Sequence, residues 1–148
     1  MKKHNEYLFV YGTLRKDYKN GMYHILEKYA DFVGEGIFNG ILYDIGEYPG
    51  AVPSKKNSQI VKGELYSIHN HKFVFKKLDE YEGYSGKDPH YMEFLRKKVS
   101  ITLINGEKYS AWIYIYNRST NGLKVIQSGD YVKYCKFKKQ LPSNTVNI

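Results

Sequence analysis

Cysteine is almost missing from this chain: Cys135 is the single one in 148 residues, which rules out an internal disulfide and a cysteine-based metal cluster and agrees with a reducing compartment. Long apolar runs are missing too, so no segment is expected to span a bilayer. The opening Met1-Lys2-Lys3-His4-Asn5-Glu6 is polar and leads into a short apolar run rather than a signal-peptide core, and the expected location is the cytoplasm. Glycines are present, but Gly34 and Gly36 lack a third glycine at the dinucleotide-binding offset, and no P-loop lysine follows any glycine cluster. Nucleotide cofactors are therefore disfavoured. His69 and His71 have no third ligand nearby at zincin or zinc-finger spacing, so no metal is expected. There are no repeats, low-complexity tracts or linkers. What is present is a globular composition, 42% hydrophobic and 16% aromatic, suited to one core. Residues 1–148 are expected to form a single domain, with residues 139–148 a loose polar tail.

The formal charge of +8 raises nucleic acid or an acidic surface as partners. The lysines, however, fall in short scattered groups such as Lys55-Lys56, Lys76-Lys77 and Lys97-Lys98, with no stripe of aromatic and basic residues at a module spacing. Solubility and attraction of small anions are the better reading, and neither nucleic acid nor membrane is expected as a partner.

Among the segments present, Tyr7-Leu8-Phe9-Val10-Tyr11 is apolar, aromatic and β-branched and stops at Gly12-Thr13-Leu14-Arg15, which predicts a strand feeding a loop. Gly12 can take backbone angles closed to other residues. The N–H groups of Gly12, Thr13 and Leu14 could then converge on an anion or polarised carbonyl, although for the segment taken alone an ordinary strand-to-loop turn is the commoner reading. A short helix is expected over residues 21–29, with Met22, Ile25, Leu26 and Tyr29 at helical spacing. Residues 32–44 carry Gly34, Gly36 and Gly40 and suggest sharply bent strands, and Tyr48-Pro49-Gly50 reads as a structural turn. Between residues 59 and 68 alternation sends Val61, Gly63, Leu65 and Ser67 inward and Ile60, Lys62, Glu64, Tyr66 and Ile68 outward. Asn70 is the expected N-cap of a helix from residue 71 to 81 or 82.

On that helix, steps of three and four from Phe75 reach Leu78 and then Glu82, which puts this carboxylate on the apolar face, while Asp79 and Glu80 fall elsewhere. An acid there is either paired for structure or held to exchange protons. Asn105-Gly106 predicts a hairpin with a two-residue type I′ turn, setting Leu103 opposite Lys108, Ile101 opposite Ser110 and Val99 opposite Trp112. Trp112, Tyr114 and Tyr116 would then share a face with Val99, Ile101 and Leu103. Many strands and little helix favour a closed barrel with peripheral helices.

Taken together, Val10-Tyr11-Gly12-Thr13-Leu14-Arg15, Tyr48-Pro49-Gly50-Ala51-Val52, Val61-Lys62-Gly63-Glu64-Leu65-Tyr66, Leu78-Asp79-Glu80-Tyr81-Glu82-Gly83-Tyr84, Arg96 with Val99, and Ala111-Trp112-Ile113-Tyr114 occur in the order of one family. By these blocks the chain resembles the γ-glutamylcyclotransferase-like family, of the γ-glutamylamine cyclotransferase type. Gln127-Ser128-Gly129-Asp130-Tyr131 resembles the family's closing segment. The resemblance implies an α+β, mainly β fold, a closed β-barrel of about six strands with a few peripheral helices. It implies a reaction without cofactor or metal, in which a γ-glutamyl group cyclises to 5-oxoproline and releases an amine or amino acid. It makes Glu82 the catalytic acid/base and the backbone of Tyr11, Gly12, Thr13 and Leu14 the cradle for a small γ-glutamyl substrate, with Tyr91 and Tyr116 expected to line the pocket. Two departures stand out: Phe94 occupies a place where family members often carry tyrosine, and the loop of residues 83–90 is long. The identity of the γ-glutamyl compound and the oligomeric state stay open. A reading from another class keeps the barrel as a non-catalytic module that binds a small ligand or a protein partner, with Glu82 a buried structural acid.

Overall fold

β1 (Glu6–Val10) is the hub of the computed structural model, which describes residues 6–15, 23–82 and 92–139. It pairs antiparallel with β4 (Ile60–Ile68), Leu8 facing Tyr66, and parallel with β6 (Lys108–Tyr116), Leu8 facing Trp112. Outward from that centre, β4 pairs with β2 (Ala30–Asp44) and β6 with β5 (Phe94–Leu103). β5 returns to β2, with Gly36 facing Leu103, and so closes a mixed barrel of five strands. β3 (Pro49–Pro53) and β7 (Lys124–Val125) add to the far part of β2 outside the ring. The closed barrel expected from the sequence is present, with the additional strands accounting for the rest of the sheet. Among the described residues three helices complete it: α1 (Tyr23–Tyr29), α2 (His71–Glu82) and α3 (Tyr131–Lys139). Among the described residues no helix is long and apolar enough to cross a membrane.

Strand alternation divides the apolar residues into two cores. Phe9, Phe38, Val61, Leu65, Ile101, Ala111 and Ile113 form the one to which every ring strand contributes, with Tyr131 of α3 packed on it. Leu8, Val10, Tyr66, Ile68 and Tyr114 face the other way and are covered by Leu26 of α1 and by Val74, Phe75 and Leu78 of α2. This double burial corrects the reading of β4. Val61, Gly63 and Leu65 are buried, but so are Glu64, Tyr66 and Ile68 on the supposed outer face, Glu64 completely. Helices cover that side, and a period-two pattern cannot report a cover contributed by distant chain.

Three other expectations change. Residues 30–44 form one continuous strand whose irregularity is a register shift between Phe32 and Gly34. The bend beside Tyr48 lies earlier than expected, where the Ile45 N–H donates to the Tyr48 carbonyl at 3.0 Å, and Pro49 and Gly50 already belong to β3. The hairpin turn contains three residues, not two: the Leu103 N–H donates to the Glu107 carbonyl at 2.8 Å, and Gly106 takes φ 92°. A left-handed third residue forms the bulged turn that commonly follows a type I pair. The register consequently slides by one, pairing Ile101 with Tyr109, Val99 with Ala111 and Lys98 with Trp112. A one-residue slip exchanges faces, so Ala111, Ile113 and Ile115 join Ile101 and Leu103, while Tyr114 and Tyr116 join Phe94 in the second core. Asn70 does stand at the N-cap position of α2, its carbonyl accepting from the Val74 N–H at 3.1 Å, with φ 46°.

Candidate active site

A cavity of about 280 Å³ opens where β1 runs out, bounded by residues 9–14, by Tyr48 and Pro49 before and at the start of β3, by Tyr81 and Glu82 at the end of α2, and by Glu93, Phe94 and Tyr114. The glycine loop and Glu82, far apart in sequence, therefore face one space.

The loop is fixed from several sides. The Arg15 N–H donates to the Gly12 carbonyl at 3.1 Å, closing a turn. The buried Arg15 guanidinium donates to Asp130 Oδ1 at 2.7 Å and approaches Glu64 Oε2 at 3.5 Å, and the Tyr66 hydroxyl donates to Glu64 at 2.9 Å. This buried ionic cluster anchors the loop to β4 and to the start of α3. The Tyr11 hydroxyl donates to the Tyr114 carbonyl at 2.6 Å and accepts from the Ala51 N–H at 3.2 Å. Burial, then the charge of Glu82, pushes the Tyr11 pKa well up, so it stays a neutral structural hydroxyl while its backbone and ring border the cavity. Gly12 does not use left-handed angles, contrary to the sequence reading. Glycine is required there because a Cβ would lie 2.7 Å from Cγ of Pro49. Among the described residues no hydrogen bond engages the N–H groups of Gly12, Thr13 and Leu14.

Glu82 closes the other side. It is half-buried, in line with Phe75 and Leu78 on the covered face of α2. Burial, reinforced by the negative charges of Glu93 and Asp79, lifts its pKa from 4.5 to about 7. A carboxyl at that value can accept and return a proton near neutral pH.

Two carboxylates that sequence reasoning did not select border this arrangement. Glu93 accepts from the Tyr48 hydroxyl at 2.6 Å, and that hydrogen bond, with burial, pushes Tyr48 up to about 12. Asp79 pairs with Arg96 and accepts from the Tyr114 hydroxyl at 2.6 Å. Asp79 follows Phe75 by four residues just as Glu82 follows Leu78, so a wider helical face would have included it; nothing local marks Glu93. Pro49, read as a turn residue, also lines the cavity. Tyr116 does not. Its ring packs against Phe94 at 5.6 Å and over the Cα of Gly50, behind the lining residues. Tyr91 and the loop of residues 83–90 lie outside the described residues. Among the described residues no group of three or more His, Cys, Asp or Glu side chains is placed to hold a metal ion.

Comparison with known proteins places the chain in one family. The chain is 38% identical over 126 residues to the gamma-glutamylcyclotransferase family protein YtfP of Escherichia coli K12, an alignment covering 84% of this chain and 95% of that protein. It is 33% identical over 112 residues to the gamma-L-glutamyl-butirosin B gamma-glutamyl cyclotransferase of Niallia circulans, covering 75% of this chain and 67% of that one. The solution structure of ytfP from Escherichia coli superposes with a TM-score of 0.59 at 34% identity, over 87% of this chain and 98% of that chain. A family model described as gamma-glutamyl cyclotransferase, AIG2-like, spans residues 8–133. With five-stranded ring, glycine loop and helix-borne glutamate all inside that span, the chain belongs to the gamma-glutamyl cyclotransferase, AIG2-like family.

Proposed function

We propose that this protein cyclises a γ-glutamyl group to 5-oxoproline and releases the attached amine, with Glu82 as the sole acid/base. The observation that carries the reading is Glu82 itself, a half-buried carboxyl raised to about 7 that faces the backbone of residues 12–14 across the cavity. Glu82 takes a proton from the substrate's α-ammonium. The freed nitrogen attacks the side-chain carbonyl carbon, forming the ring C–N bond, and the carbonyl oxygen becomes an oxyanion. As that oxygen re-forms the carbonyl, the bond to the departing nitrogen breaks and Glu82 returns the proton to it; the second proton of the ring nitrogen then passes through Glu82 to the released amine, which leaves as an ammonium beside a neutral lactam. No water is consumed. Nucleophile and electrophile already belong to one molecule, so much of the enzyme's task is holding a folded near-attack shape. The N–H groups of Gly12, Thr13 and Leu14 serve the substrate's α-carboxylate or the oxyanion.

The test is a panel of γ-glutamyl amines and γ-glutamyl amino acids incubated with purified protein and assayed for 5-oxoproline. Release by the wild type, with Glu82→Gln slower by roughly two to four orders of magnitude and substrate binding retained, is expected. Intact turnover in folded Glu82→Gln defeats the catalytic assignment. Absence of 5-oxoproline from the whole panel favours a non-catalytic binding barrel.

A further inference from the structure

Arg96, on β5, lies between two aromatic rings, its Cζ 4.5 Å from the centroid of Phe75 and 4.7 Å from that of Trp112. From there its Nε donates to Asp79 Oδ1 at 2.9 Å and an Nη donates to Oδ2 at 3.2 Å. This is a two-pronged pairing on a side chain whose rotation is blocked by stacking. Both partners are largely shielded, with side-chain exposures of 20% and 19%. The Tyr114 hydroxyl donates to the same Asp79 oxygen at 2.6 Å, and the Tyr114 ring borders the cavity. Asp79 thus ties α2 to two neighbouring strands. It does so three residues, close to one turn, before Glu82.

Glu82 needs such a tie. It is the last residue of α2, and helix ends fray unless something beyond the helix holds them. An ionised carboxylate at a helix C-terminus also faces the negative end of the macrodipole. We propose that Asp79 and Arg96 are positioning residues for Glu82, clamping the last turn of α2 to the barrel wall and presenting a compensated pair of charges to the cavity carboxylate. The inference rests on Glu82 as the acid/base of the proposed reaction. Neither Asp79 nor Arg96 exchanges a proton with substrate.

The two partners carry opposite charge, which separates this role from simple structural support. Removing Asp79 takes away an anion that disfavours the ionised form of Glu82, and leaves Arg96 uncompensated nearby; both effects favour the carboxylate. Removing Arg96 leaves the Asp79 anion uncompensated and disfavours it. The other ionisable groups facing Glu82 or its cavity among the described residues are Glu93, Tyr11, Tyr48, Tyr81 and Tyr114, and they remain in both variants. The experiment is titration of the Glu82 side-chain carboxyl by carbon-13 NMR in the wild type, Asp79→Asn and Arg96→Met, the methionine keeping an apolar stem between Phe75 and Trp112. The Glu82 midpoint is expected to move down in Asp79→Asn and up in Arg96→Met, with kcat lower in both by roughly 10- to 100-fold and KM little changed. Arg96→Lys, which keeps the charge without the fork, should hold the wild-type midpoint while kcat stays low; if the methionine variant does not fold, Arg96→Gln, which also removes the charge, takes its place with the same upward shift expected. Shifts of the same sign in Asp79→Asn and Arg96→Met, or unchanged midpoints, overturn the proposal. The titration needs no substrate, so a wild type that releases no 5-oxoproline sinks the proposed reaction without deciding the clamp.

Discussion

Replacing Glu82 with glutamine keeps the shape of the side chain and removes its titration, so its effect on stability against pH can be worked from the site. The folded pKa of Glu82 is raised from 4.5 to about 7, first by burial and then by Glu93 and Asp79. As pH rises through 4.5 the unfolded chain gives up this proton while the folded chain keeps it until about 7. Deprotonation therefore favours unfolding, and the stability present below the unfolded pKa is lost across this window. The full shift, at about 1.4 kcal/mol per pKa unit, corresponds to roughly 3 kcal/mol. Glu82 retains some solvent contact, so the expected loss is about 1–3 kcal/mol after screening. The assay is urea denaturation of wild type and Glu82→Gln at pH 4 and pH 8. Groups common to both proteins contribute equally, so the difference between the two pH dependences isolates Glu82. Glu82→Gln should equal or trail the wild type at pH 4 and exceed it by about 1–3 kcal/mol at pH 8. Parallel stability curves would mean that Glu82 titrates as an ordinary surface carboxyl and that the case for a neutral-range acid/base is lost.

Other outcomes can be checked alongside. Gly12→Val should abolish 5-oxoproline release, since even the first side-chain carbon would meet Pro49 at 2.7 Å; a folded variant with normal turnover removes the loop from the mechanism. Arg15→Met strips the guanidinium from a fully buried Glu64 and should cost roughly 3–5 kcal/mol in urea denaturation, with Arg15→Met/Glu64→Leu recovering most of it; a single variant within 1 kcal/mol of wild type, in the same measurement, shows that the cluster does not anchor the loop. Duplex DNA should bind weakly and release at physiological salt in a filter assay, because the +8 charge is scattered; tight, salt-resistant retention contradicts that reading.

Legibility in the sequence followed the range of the physical signal. The helical period from Phe75 through Leu78 to Glu82 is local, and α2 ends at Glu82 with Phe75 and Leu78 buried. The stop at Gly12 after an apolar run is local too, and β1 ends just before it. The reason for that glycine was not local, because the clash that requires it comes from Pro49, more than thirty residues away. Glu64 misled for the same cause. Alternation within β4 assigned it to solvent, whereas Arg15 from one loop and helices on the same side enclose it.

The hairpin shows how one unread torsion propagates into the site. Whether Asn105-Gly106 makes a two- or three-residue turn depends on Gly106 taking φ 92° as the third loop residue, and both turns fit the same residue pair. The choice moves every side chain of β6 to the other face. Under the two-residue register Tyr114 would point with Ile101 into the first core; under the observed one it stands opposite Arg96 and reaches Asp79. The network beside Glu82 therefore depends on a backbone angle at the far end of the ribbon. Tyr116 illustrates the remaining gap. It shares its face with Tyr114, as period two requires, yet two residues further along the strand its ring is under Gly50 and Phe94 while Tyr114 borders the cavity. A sequence pattern assigns a face, but depth along that face is set by which distant segments cross it, here the start of β3 and the start of β5.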